Sequence, residues 1–351
     1  MRAQALAHGT GAWGLISIFI DPQDNLSYQD INTASPSVAL AQGEAFVLSG
    51  VMPDSYNRPY RTYAEQVDLL KGRGFAISDD AKAADWLQRV GYYRLRPYWR
   101  ALVDPDGNPF PHRPLSHAVD LYIFDQKLRR CLAEGLATFE IAVRVDISHA
   151  VGRRDPLGHR DCKHLNPSKS YNHATWLAKA DAQLNECREP WISEFENEHH
   201  GDIPTWMAVE AWSFALVSKL YCLMHRNDQA GIAKRYTVNP ATFEAWLRSC
   251  ATLRNSCAHH NRVWNKPLID QPAVPKTWEA KGVQHIAASR LSQTRVYATC
   301  AILAHVLGVV GGKPMWAERL KAVMAEFPDH TGLEIRDAGF PQNWIDEPLW
   351  N

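Results

Sequence analysis

Between Phe124 and Ile147 the apolar residues Phe124, Leu128, Leu132, Phe139, Val143 and Ile147 recur at separations of three or four residues or their sums. Only an α-helix brings such positions onto one side, so the spacing predicts a buried stripe about seven turns long. The helix that carries it starts near Leu115 to Asp120 and runs for about 30 residues. A chain with such a rod buries it by laying other helices against it. Candidates follow in order: Pro204 to Met224 with Met207, Val209, Trp212, Leu216 and Leu220; a helix from Pro240 with Phe243, Trp246, Leu247, Cys250, Leu253 and Cys257; and Ala287 to Leu307 with Val296, Ile302, Leu303 and Val306. No alternating strand pattern competes and no internal repeat is present, so the expected fold class is all-α, an irregular helical bundle.

A smaller helical unit precedes the rod. Thr62-Tyr-Ala-Glu65 has the capping-box spacing and opens a helix with Tyr63, Val67 and Leu70 on one side and Gly72 and Gly74 as its stop. A second helix from Ser78 carries Ala81, Ala84, Leu87 and Val90 and ends at Gly91. Next comes Tyr92-Tyr-Arg-Leu-Arg-Pro-Tyr-Trp-Arg100, which has two open readings: bases stacked on aromatics with arginines on phosphates, or aromatics packing a helix join with arginines in water. The Pro- and Gly-containing stretch from Asp104 to Pro114 separates this unit from the rest. The expected organisation is therefore an extension over 1–57, a helical unit over 58–103 and a helical domain over 115–351.

Of the 351 residues 46 % are hydrophobic and 13 are Trp, ample for a packed core. Lys+Arg and Asp+Glu balance at 38 each, so a nucleic-acid partner has to be gripped by a local patch rather than by net charge. Seven Cys without a C-x-x-C pair fit reduced thiols in a cytoplasmic setting better than a disulfide scaffold. The apolar run Trp13 to Ile20 is too short to span a bilayer, and no membrane association is expected.

Chemistry concentrates in Leu253-Arg-Asn-Ser-Cys-Ala-His-His-Asn-Arg-Val-Trp-Asn265. Arg offers a fixed fork of donors to a phosphate, and His moves protons near neutral pH. If the helix from Pro240 continues through this segment, Leu253, Cys257, His260 and Trp264 extend its apolar stripe. Asn255, His259 and Arg262 then fall on the opposite side. Arg254 lies about 140° around the helix from His259, so one copy unites both on a phosphate only through the reach of Arg, and two copies across a twofold axis supply a fuller site. The spacing alone is weak, since Arg144 and His149 form a similar pair. There Glu140, four residues before Arg144, accounts for the arginine as an intrahelical ion pair.

The run R-N-x-C-A-H-H-x-R-x-W-N resembles the signature of the Abi-like (AbiD/AbiF) abortive-infection proteins, a branch of the HEPN ribonuclease superfamily that is also similar to the cutting modules of type VI CRISPR effectors. Further segments resemble the family in the same order: Thr62 to Leu70 with Gly91-Tyr-Tyr-Arg-Leu95, Leu121-Tyr-Ile-Phe-Asp-Gln-Lys-Leu-Arg129, Phe139-Glu-Ile-Ala-Val-Arg144, Pro204 to Phe214, and Gly339-Phe-Pro-Gln-Asn-Trp344. The resemblance covers about 58 to 351; Ala215 departs from it, at a place where Gly is usual. It implies a HEPN-like bundle and an endoribonuclease that needs no metal or cofactor, in which a ribose 2′-OH attacks its own phosphate. In that scheme Arg254 and His259 are catalytic, Asn255 orients His259 or a phosphate oxygen, and His260 and Arg262 contact substrate. The resemblance further implies single-stranded or looped RNA as substrate, a homodimer, a role as toxin or in phage defence, and restraint by an inhibitor such as a small antitoxin RNA.

Two rivals stand beside it. A non-catalytic RNA-binding module would use the same Arg and His to hold RNA. A metal-dependent hydrolase would use Glu194, Glu196, Glu198, His199, His200 and Asp202, although that run reads as a solvated acidic loop.

Overall fold

The computed structural model describes residues 59–166, 172–199 and 201–351. The extension expected over 1–57, with its apolar run at Trp13 to Ile20, lies outside the described residues. Among those described there are thirteen α-helices and no strand, one isolated bridge between Val103 and Pro109 aside. The described part of the chain is all-α, as its periodicities predict.

Three short helices come first: α1 (Tyr63–Gly72), α2 (Asp80–Val90) and α3 (Tyr92–Trp99). The capping box of α1 forms in full, with Thr62 and Glu65 each accepting from the other's backbone amide. Tyr63, expected on the buried side, stays exposed, because Val67 and Leu70 alone carry that face into the core. Asp79 rather than Ser78 caps α2, accepting from the Lys82 amide at 2.9 Å.

The rod is α4 (Leu115–Gly152), 38 residues long. Its stripe is buried as the spacing requires, with Phe124, Leu128, Leu132, Phe139, Val143 and Ile147 all at 2 % exposure or less. At Phe139 the rings of Phe214, Tyr236 and Phe243 meet it edge-on, 5.8 to 6.2 Å between centroids, which locks the register of α4 against its neighbours.

The polar stretch after the rod holds two helices that its composition conceals, α5 (His173–Glu186) and α6 (Pro190–His199). The acidic run expected as a loop is thus helical up to His199. Then come α7 (Thr205–Ala211) and α8 (Phe214–Leu223), where one long helix is expected from Pro204 to Met224. The break has a local cause: Trp212 turns extended, its indole donates to the Ala180 carbonyl, and the Ser213 amide is satisfied by Gln183 Oε1 at 2.7 Å. After α9 (Arg226–Arg235) comes α10 (Pro240–Ala258), capped by Asn239. The last predicted helix is divided into α11 (Arg290–Thr294) and α12 (Val296–Val310), and α13 (Lys313–Ala325) follows.

α12 is apolar nearly all round and accordingly sits inside the bundle, buried from Val296 to Ala304. α13 crosses α4 at Gly135, where an added Cβ would meet the Trp316 indole at 2.6 Å; the close approach lets Trp316 donate to the Cys131 carbonyl. All seven cysteines are free thiols.

Among the described residues one histidine is fully buried and others, His285 and His305 among them, are partly so. His159 is 1 % exposed, hydrogen-bonded through Nδ1 to Thr205 Oγ1, and burial, aided by the charge of Arg160, pushes its imidazole down from 6.5 to about 4. His285 and His305 are lowered too, chiefly by burial. The unfolded chain takes up protons below 6.5 while folded His159 stays neutral to about 4, so its contribution is complete above 6.5 and is lost as pH falls through that window. Melting temperature should therefore fall between pH 6.5 and 4, with at most about 3 kcal/mol from His159. A His159→Gln variant with the same pH slope as wild type would contradict this.

Candidate active site

α10 packs its apolar face, Phe243, Trp246, Leu247, Cys250, Leu253 and Cys257, against α4, α8 and α12. Arg254 and Asn255 lie beyond that face, Arg254 half-buried and Asn255 exposed.

The helix does not continue to Trp264 as the stripe suggests. It ends at Ala258, with His259 as its C-cap. The Asn261 amide donates to the Ser256 carbonyl at 2.9 Å and the His260 amide to the Cys257 carbonyl at 3.1 Å, the paired bonds of a Schellman end. His260 takes the left-handed place usually given to Gly, at φ +56°. The expected helical faces therefore hold only to His259. His260 points outward rather than toward the stripe, and Trp264, fully buried, reaches the core from a loop.

That loop is held by side chains from much earlier in the chain. Asp125, buried on α4, accepts the Trp264 amide at 2.7 Å, the Val263 amide at 3.2 Å and the Tyr98 hydroxyl at 2.6 Å, and pairs with Arg129 one turn on. Burial raises the Asp125 carboxyl above its ordinary value against the pull of Arg129, Tyr98 and the two amides. Since each of these neighbours is a donor, the site is built for the ionised form. Arg94 of α3 donates to the His260 carbonyl at 2.8 Å, and Arg262 Nη1 donates to the Pro97 carbonyl at 3.1 Å. Arg262, expected on the outer face beside Asn255 and His259, is thus turned back to anchor the loop on α3.

A second buried carboxylate fixes Arg254. Glu140 on α4 accepts Arg254 Nε at 3.2 Å through one oxygen and Arg144 Nη2 at 2.5 Å through the other. Arg144 also donates to the Val209 carbonyl and is largely buried, the ion pair that its spacing from Glu140 predicts. Among the described residues the terminal Nη groups of Arg254 have no partner, and neither do the rings of His259 and His260. The Asn255 carbonyl accepts the His259 amide at 3.0 Å, whereas its side-chain amide touches no described partner. The arrangement thus offers a fork of donors pinned at its base and an unengaged imidazole at a rigid helix end, a set suited to gripping a phosphate and moving a proton.

Glu140, Asp125, Arg129, Tyr98 and Arg94 were not singled out by the motif. The signal for two of them was an acid set within the apolar stripe and an Arg four residues on, Asp125/Arg129 and Glu140/Arg144. Among the described residues no group of three His, Cys, Asp or Glu is placed to hold a metal, and no helix is long and apolar enough to cross a membrane.

The sequence model of the Abi-like protein family matches residues 85–265, just over half of the chain. The chain belongs to the Abi-like family. The matched span opens in α2 and closes at Asn265, taking in α3, both buried carboxylates of α4 and the whole Schellman turn. It is narrower than the resemblance read over 58–351, and omits α11 to α13. The family's name ties it to abortive infection, a defence against phage. No curated protein and no solved structure matches the chain.

His260 provides a test of how this Abi-like turn is built. His260→Gly removes the Cβ from a left-handed position and should raise stability by about 0.5–1 kcal/mol in urea unfolding. A loss of stability would mean that the imidazole, not the turn, holds the segment.

Proposed function

We propose that this Abi-like protein is a metal-independent endoribonuclease with Arg254 and His259 at its centre. The observation that carries the reading is Arg254 held at Nε by buried Glu140 with its outer amino groups free of any described partner, about a turn and a half before the unengaged ring of His259. RNA carries its own nucleophile. The 2′-oxygen attacks the adjacent phosphorus, its proton passes to a base, the P–O5′ bond breaks, and the 5′-oxygen receives a proton. The products are a 2′,3′-cyclic phosphate and a 5′-OH. His259 serves one of the two proton transfers and Arg254 stabilises the charge gathered on the phosphoryl oxygens. Asn255, on the outer side of the same turn, supplies an amide to the substrate, as does His260 its ring. In the cell this cutting would act as a toxin in phage defence.

A second copy completes the scheme, since two imidazoles serve two proton transfers. Beside Glu140 and Arg144, α4 exposes Ile141 and Val145, and along the same stripe Trp206 lies half-exposed over Gly152. This apolar line suits a twofold contact close to Arg254. Wild type should sediment as a dimer and Ile141→Glu/Val145→Glu as a monomer; a monomeric wild type would defeat the twofold arrangement.

Incubating labelled single-stranded RNA with the protein in EDTA, and mapping the ends, tests the chemistry. Wild type should leave cyclic phosphates, His259→Ala should lose about 10²–10⁴ in rate while still binding RNA, and DNA should survive. Equal loss of binding and cutting in every basic variant would instead favour a binding module, and activity restored only by a divalent metal would mean other residues do the chemistry.

A further inference from the structure

α3 divides its aromatic and basic residues between two sides. Leu95, Tyr98 and Trp99 are buried, and Tyr92 packs edge-on against Tyr93 and tilted against Trp99. On the opposite side Tyr93 is 64 % exposed, and Arg96 and Arg100 follow it at helical spacing, three and seven residues on. Arg73, at the end of α1, joins them: its guanidinium lies 5.4 Å from the Trp99 ring and donates to the Tyr92 hydroxyl at 2.7 Å. The segment from Gly91 to Val103 has no Asp or Glu, and among the described residues no carboxylate pairs with Arg73, Arg94, Arg96 or Arg100. Arg89, one turn upstream, shows the ordinary alternative, paired to Asp85. Burial and the charges of Arg96 and Arg73 hold the Arg100 guanidinium below its ordinary value, so these groups stand close enough to repel.

The stripe also has a fixed relation to the candidate site. Arg94 grips the His260 carbonyl and Pro97 receives Arg262, so α3 lies against the turn that displays His259. From Arg94 to Arg100 the helix rises about 9 Å, room for two phosphates. An ordinary solvated face mixes acids with lysines. This one concentrates unpaired arginines round an exposed tyrosine and ends at a site suited to phosphate.

We propose that Tyr93 and Arg96 of α3 and Arg100 at its C-terminal cap, with Arg73 beside them, form a second nucleic-acid contact: a track on which single-stranded RNA lies as it enters or leaves the turn at His259. The arginines hold consecutive phosphates and Tyr93 stacks a base without choosing its identity. The track rests on the ribonuclease reading only for what it leads to; its binding is independent of cleavage.

The test uses the full chain and a fluorescent 2′-O-methyl single-stranded RNA, which has no free 2′-OH to attack and is therefore bound but not cut. Anisotropy titrations at several salt concentrations compare wild type, Arg96→Gln/Arg100→Gln, Arg96→Lys/Arg100→Lys and Tyr93→Ala. The Gln pair should bind about tenfold more weakly, with a salt slope lower by about 1.4 for two lost phosphate contacts. Tyr93→Ala should lose about fivefold or more whatever the sequence. The Lys pair, which keeps the charge, should stay near wild type. Unchanged affinity and slope in the Gln pair, or no binding by wild type, overturns the track. Ordinary RNA cut normally by a Gln pair with unchanged binding sinks the track and leaves the nuclease. Weakened binding in a protein that cuts no RNA sinks the nuclease and leaves the track.

Discussion

Asp125 gathers a guanidinium, a phenol and two backbone amides around one buried carboxylate, and the position of the motif depends on it. A carboxylate without water is costly, and a buried pair is strongly destabilising once one partner is lost. Here the cost is met by donors drawn from three places: Tyr98 of α3, Arg129 of α4 and the loop after α10. That loop has left its helix and would otherwise hold amides with no acceptor. One charge thus fastens the N-terminal helices, the central rod and the motif together, and Trp264 can bury itself because its own amide is already paired.

Glu140 repeats the device on the same helix, about 22 Å along the axis from Asp125. Between these posts the chain passes from Arg254, held by Glu140, to Val263 and Trp264, held by Asp125. Both ends of the motif are therefore referenced to one rigid element, whose register Phe139 fixes through three edge-on rings beside Glu140. A site suspended between two points of a single helix keeps its geometry even though His259 and His260 stand in solvent.

What could be read in advance followed repetition and local chemistry. The stripe of α4, the capping box at Thr62 and the buried face of α10 each depend on residues within a turn or two of one another, and each is where the pattern puts it. The end of α10 was hidden because no Gly marks it: His260 takes the left-handed place, held by two Schellman bonds and by Arg94 from far along the chain. The break at Trp212 was hidden likewise, since Gln183, about thirty residues upstream, supplies the acceptor that a local cap would have given. Of the motif, residue type and spacing single out Arg254 and His259 as candidates, and the structure leaves the outer donors of one and the ring of the other without a described partner. The second role of Glu140 was not, because an i, i+4 pair explains it fully until α10 is laid beside α4.

That second role sets the charge of the site. Glu140 has one negative charge and two guanidiniums, and Arg144 is largely buried with its other arm on a carbonyl. Arg144 cannot turn away from the carboxylate without stranding a charge in the interior. Arg254, half in solvent, is then positioned by Glu140 without being neutralised, and about one positive charge is left over at the rim. A chain whose charges cancel overall gains in this way a local excess that neither composition nor net charge reveals. An arginine paired one-to-one would have to give up its partner to take a phosphate; this one is held at Nε and offers its outer donors with no bond to break first.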